Sequence, residues 1–201
     1  SDHETKIIIQ KLEEIPFYKN NQQIKEIIND QFYRARIKDV SRVECNLSEY
    51  NVIQYSKFGW LKNAIQANPD YDYFFWMDAG CSRFFEGFDF KNEWPDTSTL
   101  DSTKILIQGN ANFIQMFDKL KIEDYIWDNN CVLVGTLFGG GKSPVLDLHK
   151  KIDETYQYFV NNGCINNEQL ALAIIAKQQP NMFDIRIHLD GTHLPLFGVL
   201  K

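Results

Sequence analysis

The run Tyr73-Phe74-Phe75-Trp76-Met77 stops abruptly at Asp78-Ala79-Gly80. A short aromatic run without Pro or Gly reads as a buried strand. How it stops constrains the fold further. A carboxylate at the C-terminal end of a strand lies where open α/β sheets hold their ligands. Ala79 and Gly80 are small, so a ligand can approach the backbone closely. A plain turn is the competing reading, because Asp-Ala-Gly is also good turn chemistry.

The rest of the chain supplies a frame for that strand. Ile7, Ile8 and Ile9, within Lys6 to Gln10, are β-branched and read as a strand. Ile24, Ile27, Ile28 and Phe32 follow at helical spacing. A second helix is expected from about Ser56 to Gln66, with Trp60, Leu61, Ala64 and Ile65 inward. Asn68-Pro69-Asp70 stops it. Phe84 to Ser102 reads as an irregular excursion near the strand end, and Lys104 to Ile107 as another short strand. Val132-Leu133-Val134 is a third apolar run, leading into Phe138-Gly139-Gly140-Gly141. Ser143 and Pro144 are a good N-cap and first helical residue. The stripe Val145, Leu148, Ile152, Tyr156 and Phe159 follows, and Gly163 can close the helix. Asn166 or Asn167 can cap a helix carrying Leu170, Leu172 and Ile174, with Pro180 beyond its end. Arg186 to His188 reads as a last short strand. Strands alternate with helices. The expected class is therefore α/β, with a mostly parallel central sheet flanked by helices in one domain over residues 1–201.

Composition narrows the partners. With 44% hydrophobic and 24% charged residues the chain is ordinary for a soluble domain. No stretch approaches the ~18–20 apolar residues of a membrane span. The first residues lack the basic start and apolar core of a signal peptide. A cytoplasmic protein without a transmembrane segment is the expectation. The net charge of −6 argues against nucleic acid as a partner. Cys45, Cys81, Cys131 and Cys164 are far apart and form no C-x-x-C pair. Buried, reduced thiols are expected rather than a zinc site or disulfide framework.

Five places could carry chemistry. Asp78 at a strand end suits a hard divalent cation held against a phosphate. Gly139, Gly140 and Gly141, followed by Lys142, permit close backbone approach before a helix N-terminus. A flexible turn explains them equally well, and they match no standard phosphate loop. Glu168, in Asn166-Asn167-Glu168-Gln169, sits at the favourable end of a helix dipole, where a surface cap is the bland alternative. His188 and His193 flank Asp190, a set that could bind Mn²⁺ or Zn²⁺. Lys57, on an amphipathic helix, would ordinarily just be solvated.

Taken in this order, the residues resemble a glycosyltransferase of the GT-A fold. The chain is similar to the HtrL/YibB-type family of bacterial and viral glycosyltransferase-like proteins. The matching segments are Tyr50 to Lys57 with Trp60-Leu61, then Asn68-Pro69, then Tyr73 to Gly80. Phe138 to Gly141, Asn167-Glu168-Gln169 with Pro180 and Phe183, and Gly191-Thr192-His193 with Leu196-Phe197 complete them. The resemblance implies transfer of a sugar from a nucleotide-sugar donor, a UDP- or GDP-sugar, to a hydroxyl of a glycan acceptor. It implies Mn²⁺ or Mg²⁺ as cofactor, with Asp78 and His193, or alternatively His188, as metal ligands. Lys57, Asp78, Ala79, Gly80, Arg83 and Gly139–Gly141 become donor-binding residues. Glu168 and Gln169 become the catalytic pair, Glu168 as general base if the reaction inverts. Two departures stand out. Gly80 occupies the third position of the family's Asp-x-Asp motif, and the first nucleotide-binding strand is expected to be missing, shortened or supplied differently. Both also suit a catalytically inactive nucleotide- or carbohydrate-binding domain. A nucleotidyltransferase would need a richer phosphate loop near its start.

Overall fold

The computed structural model describes residues 5–84 and 96–187, with backbone alone for 82–84. Helices α1 (Asn21–Asn29), α2 (Gln31–Arg36) and α3 (Ser48–Ala67) precede strand β1 (Tyr73–Met77). Strand β2 (Ile105–Gly109) and the short helices α4 (Ala111–Met116) and α5 (Ile122–Tyr125) follow. Strand β3 (Leu133–Gly141) runs directly into α6 (Lys142–Asn161), which is followed by α7 (Glu168–Gln178) and β4 (Phe183–Ile187).

The four strands form one sheet in the order β1-β3-β2-β4. The expected mostly parallel sheet does not form. β3 pairs antiparallel with both β1 and β2, and only β2 and β4 are parallel. The chain re-enters the sheet between β1 and β2 from the opposite direction, so β1 lies at an edge. That explains why only Phe74 of β1 is buried, where a buried strand was expected. β2, between β3 and β4, is buried along its whole length.

Two other expectations fail for identifiable reasons. Ile7, Ile8 and Ile9 form no strand, and they are 82%, 69% and 91% exposed. β-propensity alone does not make a strand that has nothing to pair with. The glycines at 139–141 are not a loop but the end of β3. Their missing side chains let neighbouring backbones close in. A Cβ on Gly139 would collide with the Phe74 carbonyl, and one on Gly140 with the Lys104 carbonyl. The α6 cap consequently moves two residues upstream, to Gly141 rather than Ser143.

The first helical run is divided, because Asp30 ends α1 and caps α2, and Phe32 is exposed; the later helices follow the sequence more closely. α3 is longer than expected and buries Val52, Tyr55, Phe58, Leu61 and Ile65. α6 buries Val145, Leu148, Ile152, Tyr156 and Phe159, the stripe read from the sequence. It ends in a Schellman closure. Gly163, at φ +62, donates its N–H to Val160, and Cys164 donates to Phe159. α3, α6 and α7 pack against one another and onto the sheet. The core they enclose is aromatic: Phe17 stacks on Tyr55 at 5.1 Å and meets Tyr156 edge-on at 4.8 Å. Each such buried ring contributes about 1.5–3 kcal/mol through the area it removes from water. The cysteines are free thiols, three of them buried. No described helix is long and apolar enough to cross a membrane.

Candidate functional site

The site begins with an irregularity between β2 and β3. Ile107 pairs with Phe138, yet the next residue, Gln108, pairs with Val134. Gly135, Thr136 and Leu137 therefore bulge out of the β2 ladder. Bulges free backbone groups and re-aim neighbouring side chains. Here the freed carbonyls are used at once. Gly135 accepts from Lys57 Nζ at 3.2 Å, and Thr136 accepts from the Asp78 N–H at 2.8 Å.

Lys57 reaches this point from α3 with only 3% of its side chain exposed. It is no solvated surface lysine. Its ammonium lies 3.2 Å from Asp78 Oδ1, 3.3 Å from Oδ2, and 2.9 Å from Glu168 Oε1. Asp78 stands just past β1 and keeps 31% of its side chain exposed. Its Oδ1 also accepts from Trp76 Nε1 at 2.6 Å. Trp76 in turn stacks on Trp60 of α3 at 5.6 Å, nearly parallel at 9°. The indole thus fixes the carboxylate while its ring is held from below.

Glu168 comes from the first turn of α7, which Asn167 caps by accepting the Gln169 N–H at 2.8 Å. Of the two candidate caps Asn167 serves, and the surface-cap alternative for Glu168 fails, because Glu168 is 1% exposed. Burial raises its pKa; Lys57, by charge and hydrogen bond, works against that rise without cancelling it. Its second oxygen, Oε2, has no hydrogen-bond partner among the described residues, and neither has the buried Thr136 hydroxyl. Gly135 makes the close approach possible, since a Cβ there would sit 2.6 Å from Glu168 Oε1.

Lys57, Asp78 and Glu168 are therefore brought together, with Gln169 half-buried beside them. Ala79 and Gly80, both exposed, follow Asp78 in a 3-10 turn, Ala79–Phe84, which also contains the backbone of Arg83. The three glycines are not brought in. Gly141 pairs with Tyr73, at the far end of β1 from Asp78, roughly 17 Å away at the rise of an antiparallel strand. His188 and His193 lie outside the described residues. Among the described residues no group of three His, Cys, Asp or Glu side chains could hold a metal ion.

Sequence reasoning gave no role to Trp76 or Tyr50. Trp76 and Asp78 are two residues apart at a strand end, so they share a face, and that spacing was available. Tyr50 lies seven residues, two helical turns, before Lys57. Its hydroxyl is pushed up to about 12, first by burial and then by the charges of Glu168 and Glu44. The bulge carbonyls left no side-chain signal.

A family model described as "Bacterial protein of unknown function (HtrL_YibB)" covers residues 2–201. No curated protein and no solved structure matches the chain.

Proposed function

The chain belongs to the HtrL_YibB family, and we propose that it is a glycosyltransferase. It would move a sugar from a nucleotide-sugar donor, a UDP- or GDP-sugar, to a hydroxyl of a glycan or other acceptor. One observation supports this above the rest. A single buried ammonium, Lys57, ties a half-exposed carboxylate at a strand end to a sealed carboxylate at a helix start. A buried charge cluster that opens to solvent through one acid is an expensive arrangement to keep for stability alone.

The roles follow from exposure. Asp78 is the acid with access to a ligand, and Trp76 and Lys57 hold its orientation. Lys57 offers positive charge beside it, where phosphate oxygens of the donor would lie. A general base must come within hydrogen-bonding reach of the proton it takes. Glu168 presents no surface oxygen, so its part is to position Lys57. Gln169, next to it and half-buried, is the better-placed group for contact with a sugar.

Mn²⁺ or Mg²⁺ belongs to the proposal as the ion that would neutralise the donor diphosphate. The described residues supply one accessible carboxylate, Asp78, whose oxygens already accept from Lys57 and Trp76. A hard divalent ion needs more oxygen ligands than that. The described residues alone do not make the site. His193 or His188 would have to complete it.

Calorimetric titration of the intact chain with UDP and GDP, with and without Mn²⁺, tests the proposal. Metal-linked binding, lost in the Asp78→Asn variant, is expected. Absence of nucleotide binding in every condition would sink it. A second reading, an inactive nucleotide- or carbohydrate-binding domain, draws on Gly80 and on the sealing of Glu168. Slow hydrolysis of a bound nucleotide-sugar separates the two, since only the enzyme releases free sugar.

A further inference from the structure

α3 borders a second charged feature that leaves out Lys57, Asp78 and Glu168. A cavity of about 240 Å³ lies between α3, α6 and the residues just before α1. Tyr55 and Phe58 contribute to its floor, and its rim carries Lys19, Lys62, His149 and Asp153. Gly59 shapes one wall, because a Cβ there would collide with the Pro16 ring. Three basic side chains around one hollow are unexpected in a chain of net charge −6. Neither lysine makes an ion pair among the described residues. The single acid on the rim, Asp153, sits 3.9 Å from His149 Nδ1 and is itself half exposed.

We propose that this cavity binds a tetrahedral oxyanion of the phosphoryl or sulfate class, held by Lys19, Lys62 and His149. A water occupies about 30 Å³ of liquid volume, so the hollow has room for such an anion with some of its hydration. Two ammonium groups and one imidazole supply the donors that oxygen-rich anions take. The site is independent of the transferase reading and survives its failure.

His149 gives the site a pH response. Burial holds its pKa below the ordinary value. Lys62 from α3 and Lys19 from the 3-10 turn Tyr18–Asn20 push the same way, and Asp153 on its own helix opposes them. An anion placed among these groups neutralises the two lysine fields and favours the imidazolium. Binding therefore tightens as pH falls through the His149 titration.

Sulfate is the suitable probe, because its charge is constant between pH 5 and 8. The intact protein is titrated with sodium sulfate at fixed ionic strength while its NMR signals are followed. Saturable shifts are expected at the His149 ring and at the Gly59 and Lys62 amides. The dissociation constant should be about fivefold lower at pH 5.5 than at pH 7.5, the worth of one added charge at contact. Lys62→Gln should weaken binding roughly tenfold through loss of one charge-assisted bond. Asp153→Asn should tighten it. Parallel titrations with inorganic phosphate and glycerol phosphate identify the source, the tighter of the two marking free phosphate or an esterified phosphoryl group. Shifts that never saturate, or an unchanged response in Lys62→Gln, overturn the proposal. An unchanged constant across that pH range removes His149 from the site.

Discussion

Two lysine–carboxylate clusters in this molecule use the same chemistry in opposite surroundings. Lys38 meets Asp128 at 2.5 Å, with 56% of the lysine and 11% of the aspartate side chain exposed. Lys57 meets Glu168 at 2.9 Å with 3% and 1% exposed. Burial pushes the Asp128 carboxyl up, but Lys38 and the amides of Asn129 and Asn130 outweigh it, and its pKa ends below the usual value. Burial pushes Glu168 up as well, and there Lys57 does not win. Access to water and the number of donors decide the sign. Asp128 has one lysine and three further donors, whereas one oxygen of Glu168 has no partner among the described residues. The surface pair pins a loop at small cost. The buried cluster costs stability wherever it is incomplete, which points to a reason for it other than stability.

The contrast can be broken by substitution. Lys57→Met leaves Glu168 sealed without a cation. A loss of about 3–5 kcal/mol near neutral pH is expected from urea unfolding. A loss no larger than that of a surface lysine would erase the distinction between the two clusters. Gly135→Ala inserts a methyl against Glu168 Oε1 and Gln169, and should cost about 1–3 kcal/mol. Because that Cβ pushes on the acid rather than on Lys57, a wild-type melting temperature would show that Glu168 has room to move.

The pH response sharpens the same point. Glu168 titrates higher in the folded chain than in the unfolded one, whose ordinary value is 4.5. Between those values the folded chain holds the proton more tightly, so stability falls as pH rises from about 4.5 to the folded value. Above it the penalty is complete. Glu168→Gln does not titrate. Its stability should therefore gain on wild type across that window, by at most about 1.4 kcal/mol per pH unit, and then run parallel. A difference that stays flat with pH would mean that Glu168 is not sealed. The smallest effect belongs to the surface pair. Lys38→Ala should cost about 0.2–1 kcal/mol in the same unfolding assay, and less in high salt.

How much of this was legible depended on range in sequence. The aromatic strand and its terminal Asp78, the stripe of α6, the closing Gly163 and the Asn167 cap are local signals, and each was readable. Strand direction is not local. β1, β2 and β3 follow one another in sequence, yet β3 inserts between the other two, and no periodicity encodes that. The glycines misled because glycine weakens strands in general, whereas here close backbone packing requires it. Lys57 shows the same limit at the site. Helical spacing placed it on α3, but only the β3 bulge and α7, far along the chain, turn it inward. That Asp78, Lys57 and Glu168 belong together came from the resemblance, and the structure brings them into contact.

The partners of Lys57 lie 21, 78 and 111 residues along the chain. Its ammonium therefore cannot be satisfied by any local piece of the molecule. Until β1, the β3 bulge and α7 have all arrived, at least one charge or carbonyl must stay hydrated, and the surrounding core cannot shut over it. A chain missing any one of these segments keeps water at its centre, so the cluster ties closure of the core to completion of the whole fold.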